Sequence, residues 1–518
     1  MTRTRRTRSQ AVYGFFLGLY APEFLARHRA EMLQNFEDLE NASSSRTALW
    51  LLVGKDLLLS IISRNIPNSV WGHTAPAFIV LAAVLAVLRT LALQPVSGPE
   101  ALSFSSSRLA RIEAWQQAQV DAGAFSGAVA AIARNGKVAY LRAVGFRDRT
   151  KTVPLQSDAI FWIASMTNPV TSVATMMLAE EGKLDLAAPV HQYLPEFRDM
   201  MVGVETTDPA SGQNKLALEP QKRPMTVEDL LRHTSGLVYF DRGNSAVHKL
   251  YRDSGLYNKG LARDATLKDF VSRVARLPLA HQPGEVWEYG HSADVLGRVI
   301  EVVSGQPLDQ FFESRVFKPL RMVDTGFWVP PEKLARLIDP PVGAAIRPDR
   351  DVTKPTTLFS GGGGLVSTAA DYLRFCQMLL NGGELDGVRV LMPATVRRMT
   401  TNALPPEIHF ANGSAFGFGF GIRSAAAWSW VPGSIGSFTW SGVWGTFFWV
   451  DPAEQLVAVQ LIQVAPGKGG PINHTFRNLT YGALLIPGQD VPSSAATKMT
   501  PTPGSFALLS PSWKGTPG

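Results

Sequence analysis

Gly127-Ala128-Val129-Ala130-Ala131-Ile132-Ala133, followed by Asn135-Gly136 and then Lys137-Val138-Ala139-Tyr140-Leu141, is the stretch that decides the fold. Two short apolar runs flank Asn-Gly, the dipeptide best suited to the positive φ angles of a two-residue hairpin turn. A second pair of this kind lies far downstream, where Thr446-Phe447-Phe448-Trp449-Val450 and Leu456-Val457-Ala458-Val459-Gln460-Leu461 bracket Asp451-Pro452. Between the hairpins the apolar pattern is mainly helical. Val173, Met176 and Met177 recur at helical spacing before Gly182, and Ala293 to Val303 reads as a helix closed by Gly305. The two ends of this region therefore predict one antiparallel sheet, and the middle a helical lobe: an α/β (α+β) architecture.

Composition narrows the function. With 518 residues, 45% hydrophobic and 18% charged, the chain can bury a large core and is neither disordered nor fibrous. Its formal charge of +7 owes much to Arg3, Arg5, Arg6 and Arg8. No basic stripe with interleaved aromatics accompanies them, so no nucleic-acid partner is expected. The single cysteine, Cys376, excludes an intrachain disulfide and sits in the apolar run Tyr372 to Leu380, which predicts a buried thiol on a helix. No metal-ligand spacing or cofactor motif is present, so neither is expected.

The N-terminal region points to a membrane. Ile66 to Leu88 contains no Asp, Glu, Lys or Arg, and about 20 apolar residues cross a bilayer as a helix. A span over 71–93 is expected, with Trp71 at an interface; a buried core helix is the other reading of the same pattern. Lys and Arg are frequent upstream and absent between Arg89 and Arg108, which places the N-terminus in the cytoplasm and the rest outside. The expected organisation is a helical cytoplasmic lead segment at 1–70, a transmembrane helix at 71–93, a linker at 94–107, a globular domain at 108–486 and a disordered Pro/Ser/Thr/Gly-rich tail at 487–518. That arrangement implies a single-pass protein of a bacterial inner membrane. Within the lead segment, Leu19-Tyr20-Ala21-Pro22-Glu23-Phe24 and Glu31 to Leu39 resemble the segment before the first span of some bacterial export-type permeases.

Chemistry enters at Ser165-Met166-Thr167-Asn168-Pro169-Val170-Thr171. A serine before a helix is commonly just its N-cap, but the helix N-terminus also stabilises negative charge beside it. Pro169 suits a first turn. A residue three positions on faces the same way as Ser165, and that residue is Asn168, which cannot act as a base. Further segments belong with this one: Leu230-Leu231-Arg232-His233-Thr234-Ser235-Gly236-Leu237, Tyr289-Gly290-His291, Gly361-Gly362-Gly363-Gly364-Leu365-Val366-Ser367-Thr368-Ala369-Ala370-Asp371 and Trp440-Ser441-Gly442. Together, in order and over about residues 105 to 486, they resemble the serine beta-lactamase-like family, in particular class C beta-lactamases, family VIII carboxylesterases and penicillin-binding relatives.

The resemblance implies roles. Ser165 matches the acylated nucleophile, and its N–H with that of Val443 matches the oxyanion hole. Tyr289 matches the general base and acid, whose phenol a neighbouring lysine keeps acidic; that lysine is Asn168 here. Trp440 replaces the lysine that binds a substrate carboxylate in the Trp440-Ser441-Gly442 motif, which favours neutral acyl esters. His291, standing where class C enzymes have asparagine, is a candidate substitute base, with a hydrogen-bonding role as the plainer alternative. His233 reads as a loop holder and the four glycines as a close backbone turn. Phe161, Trp162, Phe438 and Trp444 suit either the site wall or the core. The expected function is a membrane-anchored serine hydrolase acting on a small acyl ester, amide or cell-wall-derived substrate, slowed by Asn168. The alternative is an inactive member that uses its cleft to bind a ligand.

Overall fold

The computed structural model describes residues 98–207, 214–256, 265–341, 351–410, 413–427 and 431–485. The expected lead segment, membrane span and C-terminal tail lie outside these residues. Among the described residues no helix is long and apolar enough to cross a membrane.

The sheet, its covering helices and the lobe helices nearest the site run, in chain order, α1 (Ser106–Asp121), β1 (Gly127–Arg134), β2 (Lys137–Gly145), α2 (Thr167–Glu180), α3 (Val227–Leu231), α4 (Ser292–Ser304), α5 (Ala369–Leu380), β3 (Ala415–Phe416), β4 (Gly421–Ile422), β5 (Phe438–Ser441), β6 (Phe447–Asp451), β7 (Leu456–Ile462) and α6 (Gly469–Gly482). The strand order is β2-β1-β7-β6-β5-β4-β3, and each neighbouring pair is antiparallel. Both hairpins read from the sequence are present. Asn135 and Gly136 take φ of 51° and 72°, the paired left-handed conformation that a two-residue hairpin turn needs. The hairpins meet because β1 pairs with β7, placing Ala131 opposite Val459 and Ile132 opposite Ala458. One sheet is thus made from the two ends of the domain.

Period-two alternation gives this sheet two buried faces. Val129, Ala131, Phe448, Val450, Val457, Val459 and Leu461 pack with Val170 and Val173 of α2 and with Tyr372, Phe375 and Cys376 of α5. The alternate residues Ala130, Ile132, Phe447, Trp449, Leu456 and Ala458 pack on Leu109 and Ile112 of α1 and Phe476 of α6. Cys376 is buried as expected, and burial pushes its thiol well above the ordinary range. The helix expected over Ala293–Val303 is α4, ended by Gly305 at φ 70°. The lobe also holds an unanticipated hairpin, Met201–Thr207 with Asn214–Pro220.

Asp371, at the start of α5, carries a pH-dependent cost. Its carboxylate accepts hydrogen bonds from Asp324 N (2.7 Å) and Thr325 Oγ1 (2.9 Å), yet burial pushes its carboxyl up to about 7. A folded-state pKa above the unfolded value of about 3.9 means that folding favours the protonated form. The penalty is absent below pH 4, grows as pH rises to 7 and is complete above it, on the order of 4 kcal/mol. Asp371→Asn keeps an acceptor oxygen and removes the charge. Denaturant midpoints at pH 5 and pH 8 should therefore show a smaller decline with pH in the variant than in wild type; parallel declines would contradict this.

Candidate active site

The backbone around Ser165 is held from three sides. Ile163 N–H donates to Leu365 O (3.0 Å), Thr446 Oγ1 donates to Ile163 O (3.1 Å) and Tyr372 Oη donates to Met166 O (2.8 Å). Between these anchors Ala164 adopts φ 46°, a left-handed conformation that costs a residue with a Cβ about 1 kcal/mol or more and persists only where its surroundings impose it. Thr167 Oγ1 donates to Ala164 O (2.6 Å) and accepts from Leu365 N (3.1 Å), which fixes the turn. The N-cap of α2 is Met166, with no side-chain capping bond. The Ser165 hydroxyl is therefore not used as a helix cap, and Ser165 is half-buried at the mouth of α2.

Asn168 lies one turn into α2 and is 1% exposed. Its Nδ2 donates to Ser165 O, Tyr289 Oη and Gly362 O, each at 2.9 Å. An amide nitrogen has two hydrogens, so three acceptors compete for them; an ammonium has three. Asn168 Oδ1 is buried with no hydrogen-bond partner, a state that costs an amide about 1 to 3 kcal/mol. The acceptor set thus suits a cation better than the amide that fills it. Tyr289 is buried beside Ser165. Burial raises its phenol above the ordinary range, while hydrogen bonding with the Ser165 hydroxyl acts in the opposite direction.

Neither histidine is placed as a substitute base. His291 is fully buried, and its Nδ1 lies 2.8 Å from Asp294 Oδ2; its ring packs on Tyr239 and Phe270. Of the two sequence readings, this geometry matches the hydrogen-bonding one. Asp294 Oδ1 accepts from Ser360 Oγ (2.6 Å) and Gly362 N (3.1 Å), so the His291–Asp294 pair secures the glycine run. That run is the close turn foreseen: its carbonyls accept from Thr171 Oγ1 at Gly361, Asn168 Nδ2 at Gly362 and Trp162 Nε1 at Gly363. His233 follows α3 at φ 56°, and its carbonyl accepts from Glu288 N (3.0 Å). Its imidazole packs 4.8 Å from the Tyr289 ring, and burial pulls it down to about 3, so it is neutral.

The opposite wall comes from β5 and the turn after it. Trp440 lies edge-on to Tyr289 with ring centroids 5.4 Å apart, and Ser441 is exposed beside it. Gly442 runs so close to Ile163 O that a Cβ would collide with it, which explains glycine there. The turn's own bonds run from Gly442 N to Thr446 O and from Gly445 N to Gly442 O, and the Val443 N–H takes no part in them. Of the four aromatics with two readings, Phe161 and Phe438 are core, whereas the half-buried Trp162 and Trp444 pack together at 5.4 Å. Sequence reasoning missed Trp287, Phe410 and Phe416, which extend the wall behind Trp440 and Tyr289. It also missed Asp294, although its position three residues after His291 on a helix was a usable signal. Among the described residues no group of three or more His, Cys, Asp or Glu is arranged to hold a metal ion.

A serine at a helix mouth, a facing tyrosine and an inner strand that runs through Trp440-Ser441 into Gly442, set between a sheet and a helical lobe, define a scaffold of the beta-lactamase type. Residues 112–481 match the Beta-lactamase family, and the chain belongs to it. It is 38% identical over 363 residues to protein Rv1367c of Mycobacterium tuberculosis, covering 67% of this chain and 88% of that one. Esterase EstB of Burkholderia gladioli is 32% identical over 413 residues, covering 74% of this chain and 98% of the esterase. Among solved structures, EstCE1, a hydrolase with promiscuous acyltransferase activity, superposes with a TM-score of 0.60 at 27% identity, covering 73% of this chain and 99% of EstCE1.

Proposed function

We propose that the chain is a slow acyl-ester hydrolase that works through an acyl-Ser165 intermediate. The observation that carries this reading is the Asn168 amide, which joins Ser165, Tyr289 and Gly362 at 2.9 Å and so keeps the nucleophile and phenol in register while supplying no charge. In the proposed cycle Ser165 Oγ gives its proton to Tyr289 as it attacks the ester carbonyl carbon. The N–H groups of Ser165 and Val443 receive the developing oxyanion, and Tyr289 returns the proton to the departing alcohol. Water then repeats the sequence on the acyl-enzyme and frees the acid. Only the phenolate form of Tyr289 accepts the first proton. With its pKa raised by burial, only a minor fraction of the protein is competent at neutral pH, and turnover should climb with pH through the alkaline range. Trp440 in place of a cation supports neutral esters as substrates, as does the likeness to an esterase.

The raised Tyr289 phenol also supports a second reading, in which the cleft binds a ligand such as a cell-wall fragment without turning it over. Hydrolysis of a short-chain nitrophenyl ester, measured beside a chromogenic cephalosporin, separates the two. Ester turnover lost in Ser165→Ala is expected; equal rates in wild type and variant would remove the hydrolase reading. The proposed membrane anchor at 71–93, with the catalytic domain outside the inner membrane, rests on the apolar sequence alone. A reporter fused after Gly98 should be active only outside the cytoplasm, and cytoplasmic activity would overturn that placement.

A further inference from the structure

The cation that Asn168 fails to supply at the phenol oxygen has a counterpart over the Tyr289 ring. The guanidinium carbon of Arg242 lies 5.6 Å from the centroid of the Tyr289 ring, over its face. Arg242 is exposed and forms no ion pair among the described residues, so its charge is not spent elsewhere. We propose that Arg242 is a positioning residue for Tyr289, whose fixed positive charge over the phenol ring favours the proton-accepting form and partly replaces the charge missing at Asn168. This inference rests on the reading that Tyr289 accepts the Ser165 proton.

The loop carrying Arg242 is braced by groups that flank Tyr289. Tyr239 packs on the Tyr289 ring at 5.2 Å and on the His291 ring at 4.5 Å. Arg242 N–H donates to Tyr239 O (3.3 Å). Gly243 lies so tightly on the His248 imidazole that any Cβ would clash with the ring. His248 in turn is fixed: its Nε2 meets Glu288 Oε1 (2.8 Å) and its Nδ1 meets Ser245 Oγ (2.7 Å). The other oxygen of Glu288 meets His281 Nε2 at 2.5 Å, so the residue preceding Tyr289 is clamped on both sides. One frame therefore holds the ring and the loop that suspends the guanidinium above it.

The charges around the phenol leave Arg242 as the favourable one. From α4, Asp294 opposes phenolate; from the loop after α3, His233 is neutral; from α2 and the turn before it, Asn168 and Ser165 are uncharged. Glu288, whose carboxyl is held below the ordinary range by its contacts with His281 and His248 against the opposing effect of burial, faces those two rings. A cation over an aromatic face is attracted more strongly as the ring gains electron density, which deprotonation of the phenol supplies. At an exposed position, the expected effect is on the order of three-fold in ionised Tyr289 at a fixed pH.

The test is the pH dependence of nitrophenyl-ester hydrolysis by wild type, Arg242→Gln, Arg242→Lys and Gly243→Ala, with thermal melts to confirm folding. Arg242→Gln is expected to lower kcat at neutral pH by about three-fold, leave KM unchanged and move the rise in rate to higher pH. Arg242→Lys should restore part of the loss. Gly243→Ala, which keeps the arginine but pushes its loop off His248, should resemble Arg242→Gln. A raised KM with an unmoved pH profile would mean that Arg242 binds substrate and would overturn the inference, as would no change at all. Ultraviolet titration of the Tyr289 phenol, taken as the difference between each protein and its Tyr289→Phe partner, reads the same effect without turnover. If wild type hydrolyses nothing, the catalytic reading fails, yet a higher titration midpoint in Arg242→Gln still supports the electrostatic link and an identical midpoint removes it.

Discussion

Asn168→Lys is expected to raise Ser165-dependent ester turnover at pH 7 by about 10²-fold, the lower end of what a well-placed proton acceptor contributes. The reason is a count of donors and acceptors. Ser165 O, Tyr289 Oη and Gly362 O converge on one nitrogen, and an ammonium meets all three where an amide meets two. The new charge would also oppose the burial that raises the Tyr289 phenol, moving the rate profile toward neutral pH. Lysine is longer than asparagine and the position is 1% exposed, so a thermal melt must accompany the kinetics. A folded Asn168→Lys protein with unchanged rate and pH profile would show that the missing cation is not what limits this site.

Tyr289→Phe is expected to have the opposite effect and a comparable size, lowering kcat about 10²-fold or to the background of the assay. Phenylalanine preserves the packing against His233, Tyr239, Trp287 and Trp440. It deletes only the oxygen that Asn168 Nδ2 holds and Ser165 addresses. Melting behaviour should stay near wild type, because the ring carries most of the contact. Retained kcat would move the proton-accepting role to another group, and His291 would then need to leave Asp294 to assume it.

Much of this was legible in the sequence for identifiable reasons. Asn135-Gly136 carries its own backbone conformation, and strands that bury both faces, such as β1 and β7, show as short apolar runs. Helix α4 announced its end through Gly305, and α2 its start through Pro169. Ser165, Asn168, Tyr289 and the Trp440 turn were found because short local motifs mark them. What stayed hidden is what distant segments do to one another. Nothing local shows that Trp287, Phe410, Phe416 and Trp440 stack into one wall, or that a loop fixed by Gly243 hangs Arg242 over Tyr289. His291 illustrates the same limit: at the head of a helix it has two directions open to it, and the carboxylate of Asp294 one turn along takes it. The strained φ of Ala164 belongs here too, since it is imposed by bonds from Leu365, Thr446 and Thr167 rather than by its own residue type.

The central claim is that Ser165 is a working nucleophile despite Asn168. The most direct measurement is reaction of the protein with a serine-directed fluorophosphonate across pH 7 to 10, with the modified residue located by peptide mass spectrometry. The expected result is a single adduct on Ser165 that forms slowly at pH 7, faster as pH rises, and not at all in Ser165→Ala. An unmodified Ser165 at pH 10 under prolonged exposure, in protein shown to be folded, would contradict the claim and leave the cleft as a binding site.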